Sequence, residues 1–317
     1  MISARIDGRR DEIETFFRER FITDNELITE AVKRMLAAGG KRLRPRITLL
    51  AAQICDPRAQ RHMQLAAYME LIHVATLIHD DVVDNAQTRR GVNATAIDYG
   101  NRISVLAGDY LFAWIFKNVT ELYPSPIPNI LSATLAEICD GEVLQLRSLA
   151  NLSLSLEAYV EIVSRKTASL FAASAECGAI AGGAPPPAVQ ALRRYGRAFG
   201  IAFQMRDDLL DVTAESASLG KPVANDLAER KMTIPLILAL QASGSEFYCM
   251  VERLFAGRES GLAGVLDGIR RSGAVERTRA QIREYSKQAE SAVEELEDCA
   301  AKSELQRLAR NLVEEIP

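Results

Sequence analysis

Apolar residues recur every three or four positions along almost the whole chain, the period of helices with one buried stripe. No sustained alternation of Val, Ile, Thr and aromatics marks strands. The pattern predicts an all-α fold. Thr23-Asp24-Asn25-Glu26 has capping-box spacing, and Leu27, Ile28, Ala31, Val32, Met35 and Leu36 follow on one face until Gly39-Gly40 ends that helix. Breaks fall at Asp56-Pro57, Arg89 to Asn93, Tyr123 to Pro126, Ala184 to Pro187, Gly220 to Pro222 and Ser243-Gly244. Between them the spacing assigns long helices over 58–86, 102–121, 128–148, 156–182 and 187–213. Beyond residue 262, Glu, Lys and Arg dominate among spaced Leu, Val and Ala, as on shorter amphipathic helices packed outside. No internal repeat and no linker-like composition interrupts the chain, so residues 1–317 are expected to form a single domain.

Composition narrows the classes further. With 48% hydrophobic and 25% charged residues the chain is that of an ordinary globular protein. Its 38 Lys plus Arg against 42 Asp plus Glu leave a net charge of −4, which gives no general attraction for nucleic acid. Any anion it binds therefore needs a local cationic site. The five cysteines, Cys55, Cys139, Cys177, Cys249 and Cys299, are widely spaced and form no CxxC pair, as for free thiols in a reducing cytoplasm. The start, MISARIDGRRDEIE, carries charges where a signal peptide needs its apolar run, and no stretch has the apolar length of a membrane span. The expected location is cytoplasmic, with no transmembrane segment.

Two acidic clusters stand out. Asp80-Asp81-Val82-Val83-Asp84 and Asp207-Asp208-Leu209-Leu210-Asp211 share the pattern DDxxD, each inside a segment that reads as helix. At about 100° per residue their carboxylates are expected on one face, with the Val-Val and Leu-Leu pairs burying the other. Three acids together in an apolar segment destabilise the fold unless cations compensate them. Hard divalent ions do so, and Mg²⁺ in particular shares its coordination with waters and phosphate oxygens. A single DDxxD also reads as a solvated acidic turn; two matching copies favour paired magnesium sites.

Magnesium shared with a diphosphate leaves further negative charge to neutralise. Gly39-Gly40-Lys41-Arg42-Leu43-Arg44-Pro45 supplies a glycine hinge followed by cations, although the same pattern suits a solvated turn. Arg89-Arg90-Gly91 follows the first cluster closely, and Lys166-Thr167, Gly220-Lys221-Pro222 and Lys231 add cations that individually read as surface lysines. His73, in Glu70-Leu71-Ile72-His73, completes an ExxH pattern. The di-iron fold that uses ExxH needs two copies, and neither His62 nor His79 has a Glu three residues earlier. A core histidine held by hydrogen bonds remains the alternative.

Taken in order, GGKRLRP, ELIH, the first DDxxD, RRG, the second DDxxD and GKPVANDLAERKMTIP resemble the trans-isoprenyl diphosphate synthases, or polyprenyl synthetases, from about residue 25 to 240. The resemblance implies an all-helical fold around a central cavity, usually a homodimer, with the two aspartate helices facing one another across the cavity mouth. It implies that Asp80, Asp84 and Asp207, with Asp81, Asp208 and Asp211, hold three Mg²⁺ ions on the diphosphate of an allylic substrate such as farnesyl or geranylgeranyl diphosphate. Arg89, Lys166, Lys221 and Lys231 then complete that clamp. Lys41, Arg44, His73 and Arg90 bind the diphosphate of isopentenyl diphosphate, and Thr167 and Gln204 lie near the developing allylic cation. The implied reaction is ionisation, condensation and elimination, with the departing diphosphate taking the proton. Peripheral membrane contact would serve release of so apolar a product.

This sequence departs from the family where Ala224 and Arg230 replace usual glycines, which puts that loop's closure in doubt. Ala75 and Thr76, five and four residues before Asp80, are small where shorter-chain relatives carry bulky aromatics, so the resemblance implies a long, octaprenyl-like product. Phe112, Trp114 or Phe116 could form a cavity floor, or could be ordinary core. The alternatives are a geranylgeranyl or other shorter-chain synthase and a non-catalytic regulatory subunit; a terpene cyclase has no use for an isopentenyl diphosphate pocket.

Overall fold

The computed structural model describes residues 12–21, 23–56, 62–213, 224–257 and 261–314, and helices carry nearly all of their regular structure. In chain order these are α1 (12–20), α2 (Glu26–Ala37), α3 (Leu43–Cys55), α4 (Met63–Val83), α5 (Thr95–Leu122), α6 (Ile127–Ser148), α7 (Leu156–Val163), α8 (Ser169–Ala181) and α9 (Pro186–Thr213). Then come the single turn α10 (Asn225–Ala228), α11 (Ile234–Ala242), α12 (Ser245–Phe255), α13 (Leu262–Arg271), α14 (Ala274–Ala292) and α15 (Ala300–Glu314). The all-α expectation holds, and the three helices after residue 262 are the amphipathic ones the charge pattern predicts.

The residues fall into two compact units. One comprises Met1–Ala133, Ala173–Arg193 and Leu296–Glu304; the other comprises Thr134–Ala172, Arg194–Glu295 and Leu305–Pro317. The first is built on α4, whose residues Leu65 to Ile72, Val74, Ala75 and Ile78 are all buried. A helix apolar on every side has to be surrounded, and α2, α3 and α5 pack against it. Phe16 and Phe21, on and just beyond α1, close one side through edge contacts: Phe16 with Tyr68 at 5.8 Å, Phe21 with Trp114 at 5.4 Å, and Trp114 with Tyr68 at 5.8 Å between ring centres. In the second unit the wholly apolar helix is α11, with Pro235 in its first turn, packed by α7, α13 and α14.

Several boundaries differ from the periodicity, each for a local reason. Asn25, not Thr23, caps α2: its side chain accepts from the Ile28 N–H at 3.3 Å, while the Thr23 hydroxyl donates to the Asn25 carbonyl at 2.8 Å. Helix α4 stops at Val83 rather than 86, in a Schellman arrangement. The Ala86 N–H returns to the Asp81 carbonyl at 2.9 Å, the Asn85 N–H to that of Val82 at 3.3 Å, and Asn85 takes the left-handed conformation at φ 51°. Helix α5 starts at Thr95, upstream of the expected 102, and is interrupted at Gly100, where φ is 80°. The stretch read as one helix over 156–182 contains a π-helical turn, Ser164–Ala168, between α7 and α8.

Strands β1 (Thr88–Arg89) and β2 (Val92–Asn93) form a hairpin that periodicity alone could not register, because each has two residues. Its two-residue loop, Arg90-Gly91, has φ of 52° and 81°, as a type I′ turn requires. Among the described residues no helix is long and apolar enough to cross a membrane.

Candidate active site

In the first unit, the C-terminal end of α4 carries Asp80, Asp81 and Asp84 where the helix's own carbonyls already present negative charge. The three carboxylates differ in exposure, which the arc argument did not anticipate. Asp81 has no exposed surface, whereas Asp80 and Asp84 are half-buried. Position 1 of the motif lies about 100° round the helix from position 0, and here that turns it inward. Asp81 holds Arg89, whose Nε donates to Oδ1 at 2.7 Å and whose Nη2 lies 2.5 Å from the same oxygen. The β1–β2 hairpin thus brings a cation back onto the acidic end of its preceding helix. Val83, expected to pack, is instead exposed.

The next residue of the hairpin points elsewhere. Arg90 Nη1 donates to the Gly39 carbonyl, and a Cβ on Gly40 would stand 2.8 Å from that nitrogen. Gly39 and Gly40 also have φ of 75° and 153°, so both the approach and the backbone call for glycine. Two residues on, Arg42 is 4% exposed at φ 49°, and this left-handed conformation is held by three bonds. Its guanidinium donates at 2.8 Å to Glu14 Oε1, Glu70 Oε1 and the Leu36 carbonyl, and lies 5.4 Å from the centre of the Phe17 ring. Burial alone would lower its pKa; the two carboxylates outweigh burial and raise it. Glu70 of the ExxH pattern is therefore the buried counter-ion of Arg42, and not a metal ligand.

That post leaves Lys41 exposed and Arg44 half-buried on either side. His73, one turn beyond Glu70, is held well below the ordinary histidine pKa by burial first and then by the charges of Arg44, Arg90, Arg89 and Arg42. A neutral imidazole among four guanidinium groups is an anion-binding environment. The residues expected to bind one diphosphate, Lys41, Arg44, His73 and Arg90, are thus gathered in this unit.

The second unit repeats the acidic design. On α9, Asp208 is 4% exposed while the Asp207 side chain is 45% exposed and Asp211 is half-buried. Asp208 accepts from Tyr159 Oη at 2.6 Å, from Gln204 Nε2 at 2.8 Å and from the Ile234 N–H at the start of α11. Burial nevertheless pushes its carboxyl up to about 6, against the lowering effect of the Tyr159 and Gln204 bonds. Asp211 receives the backbone N–H groups of Asn225 and Asp226, each at 3.2 Å, and so tethers α10 to the end of α9.

The same unit holds a cavity of ≈ 110 Å³ whose polar lining includes Lys166, Thr167, Gln204, Asp208, Asp226 and Lys231. Lys166 and Thr167 lie on the π-helical turn, which displaces them from regular helix positions. Gly141 of α6 packs on that turn so closely that a Cβ there would be 2.5 Å from the Lys166 nitrogen. Lys166 Nζ donates to Gln145 Oε1 at 2.6 Å and pairs with Glu142; Lys231 Nζ lies 2.5 Å from Glu229. Sequence reasoning missed Tyr159, Gln145 and Asp226. None belongs to a motif quoted above except Asp226, which lies inside GKPVANDLAERKMTIP, and only the fold brings them to the cavity. Lys221, with Gly220 and Pro222, lies outside the described residues.

The donors offered by the two acidic clusters are hard oxygens, the set that fits Mg²⁺ rather than zinc or iron. Among the described residues no three His, Cys, Asp or Glu side chains gather into a ready-made cage. Mg²⁺ takes one or two carboxylates and completes its shell with waters and phosphate oxygens.

Both positions that depart from the glycine pattern adopt backbones suited to glycine: Ala224 at φ 63° and Arg230 at φ 59°. A side chain in this region costs about 1–2 kcal/mol, part of which glycine returns as greater freedom of the unfolded chain. Arg230→Gly is expected to raise stability by about 0.5–1 kcal/mol, read as a higher denaturation midpoint in urea. An unchanged or lower midpoint contradicts the strain argument.

A model of the polyprenyl synthetase family matches residues 25–261. The octaprenyl diphosphate synthase of Escherichia coli (strain K12) is 36% identical over 299 residues, covering 93% of this chain and 92% of its own. A short chain isoprenyl diphosphate synthase of Methanothermobacter thermautotrophicus is 35% identical over 295 residues, covering 91% and 90%. Among solved structures, a polyprenyl synthase of Caulobacter crescentus CB15, crystallised with calcium and isoprenyl diphosphate, superposes with a TM-score of 0.92 at 37% identity, covering 98% of this chain and 96% of its own.

Proposed function

The chain belongs to the polyprenyl synthetase family, and from that premise we propose that it condenses isopentenyl diphosphate with an allylic diphosphate in trans, releasing diphosphate and forming a long-chain, octaprenyl-like polyprenyl diphosphate. The observation that carries this reading is the acidic motif built twice. In each copy the middle aspartate is buried and bonded into the fold while the first and last keep exposed surface.

Asp80, Asp84, Asp207 and Asp211 are the carboxylates that would hold magnesium, three ions in all, on the allylic diphosphate; Asp81 and Asp208 serve as anchors. Magnesium bound there would supply Lewis-acid stabilisation of the negative charge on a leaving diphosphate. Arg89, Lys166, Lys221 and Lys231 neutralise the rest of that charge. Lys41, Arg44, His73 and Arg90 grip the diphosphate of isopentenyl diphosphate, so its double bond meets the cation in a fixed orientation. His73, neutral in the unliganded protein, gains a proton-stabilising partner when that diphosphate arrives. Thr167 faces the cation with its hydroxyl oxygen, held by Gln204, and neither contributes a base; the departing diphosphate accepts the proton. Apolar lining such as Ile162, Val163 and Met232 keeps water from quenching the cation.

The enzyme acts as a homodimer in the cytoplasm, with peripheral membrane contact at product release. An uncovered apolar face of α5, where Val105, Leu106 and Tyr110 are 40%, 56% and 38% exposed, supports a second copy of the chain as its cover. The five free cysteines suit a reducing compartment.

Incubating the protein with Mg²⁺, isopentenyl diphosphate and farnesyl or geranylgeranyl diphosphate tests the reading. The expected result is magnesium-dependent release of diphosphate and a long-chain product on chromatography. Cyclised hydrocarbon without use of isopentenyl diphosphate, or no product, refutes it.

A further inference from the structure

Asp208, Gln204 and Thr167 form a chain of hydrogen bonds that ends in the second unit's cavity. Tyr159 Oη donates to Asp208 Oδ2 at 2.6 Å, Gln204 Nε2 donates to Asp208 Oδ1 at 2.8 Å, and Thr167 Oγ1 donates to Gln204 Oε1 at 2.9 Å. Asp208 and Tyr159 are each 4% exposed, and Thr167 and Gln204 line the cavity. We infer that Asp208 and Tyr159 are positioning residues that fix the direction of this relay, so that Thr167 turns lone pairs, and not its proton, towards the reacting cation. The inference rests on the prenyl-transfer reading above.

The direction follows from what each group can do. A carboxylate only accepts, so the Gln204 amide must give it the NH₂ side and keep its carbonyl for Thr167. A threonine hydroxyl has one proton. Committed to Gln204, that proton leaves both lone pairs for the cavity, where oxygen dipoles aimed at developing positive charge lower the barrier. The opposite orientation would aim an O–H dipole at the cation and raise it. Three donors, from Tyr159, Gln204 and the Ile234 N–H, converge on Asp208, which is why it is the fixed end of the chain. It also separates Asp208 from its neighbours Asp207 and Asp211, which stay more accessible.

Asp208→Asn tests the direction with a side chain of the same shape. Asparagine has one carbonyl; with that oxygen kept by the Tyr159 hydroxyl, its NH₂ faces Gln204. Gln204 then turns over, donates to Thr167, and the threonine proton swings towards the cavity. The expected result is a kcat lower by about 10- to 100-fold, with KM for both substrates and the half-saturating Mg²⁺ concentration within about twofold of wild type. Because the effect travels through Thr167, Asp208→Asn added to Thr167→Val should cost no more than the worse single variant. Losses that multiply in the double variant, or a raised half-saturating Mg²⁺ concentration, overturn the relay. Should Asp208→Asn melt early, Tyr159→Phe takes its place in the same cycle: a smaller kcat loss that again does not add to Thr167→Val upholds the relay, and multiplication overturns it. An active wild type with multiplying losses defeats this inference alone, whereas an inactive wild type defeats the functional reading beneath it.

Discussion

Asp80→Ala and Asp207→Ala are each expected to lower kcat by about 10²- to 10³-fold, equivalent to about 2.7–4 kcal/mol of transition-state stabilisation. The magnitude follows from the step that limits such chemistry: heterolysis of an allylic carbon–oxygen bond places charge on a leaving diphosphate, and removing one oxygen ligand weakens the cation cluster that receives it. Asp80 is half-buried and the Asp207 side chain is 45% exposed, but Asp207 Oδ1 lies 3.6 Å from Nη2 of the buried Arg206, so Asp207→Ala is expected to cost some stability besides its loss of turnover. Asp81 behaves in the opposite way. Asp81→Ala leaves Arg89 without the carboxylate that both its Nε and Nη2 reach, and its first consequence is lost stability of about 3 kcal/mol or more. Steady-state kinetics beside thermal melts separate the two classes. Near-normal turnover in Asp80→Ala or Asp207→Ala removes the metal assignment, whatever happens to the middle residues.

That contrast marks the limit of what the sequence disclosed. The two DDxxD motifs, the glycine hinge and RRG were all readable, because each is a contiguous string whose chemistry survives without coordinates. Helix interiors were readable too, since α4 is a long apolar run inside the helix assigned to 58–86. What a one-dimensional pattern could not assign was the orientation of single side chains within a motif. An arc of about 100° admits three carboxylates on one face, yet burial against the hairpin in one unit and against Tyr159 in the other draws the middle acid inward. Tyr159 and Asp208 are 49 residues apart, and no spacing rule links them. The β1–β2 hairpin escaped because two-residue strands have no period to detect, although Arg90-Gly91 was a turn signal in plain view. The π-helical turn escaped for a related reason: inserting a residue into a helix leaves the surrounding apolar stripe almost intact.

Product length is the second large effect, and overall similarity does not decide it. The chain is 36% identical to an octaprenyl diphosphate synthase and 35% identical to a short chain synthase. The local argument is steric. Thr76 and Ala75 lie about 6 and 7.5 Å along the α4 axis from Asp80, the depth at which a growing chain first needs room. The fold distinguishes them: Thr76 is half-buried, with its hydroxyl donated to the His73 carbonyl at 2.8 Å, whereas Ala75 has no exposed surface. Phe112 and Trp114, the suggested floor, are engaged in edge contacts with His79 at 5.8 Å and with Phe21 and Tyr68, as core aromatics are. Thr76→Phe is therefore expected to shift the product ladder to shorter chains while condensation continues, because a phenyl ring blocks volume and the hydroxyl it replaces bonds the His73 carbonyl, not its imidazole. Ala75→Phe should shorten the product as well, with about 1–3 kcal/mol of lost stability from overpacking a filled site. Chromatography of radiolabelled products, with initial rates of isopentenyl diphosphate uptake, reads both. A ladder unchanged in the two variants places the elongation path somewhere other than along this face of α4.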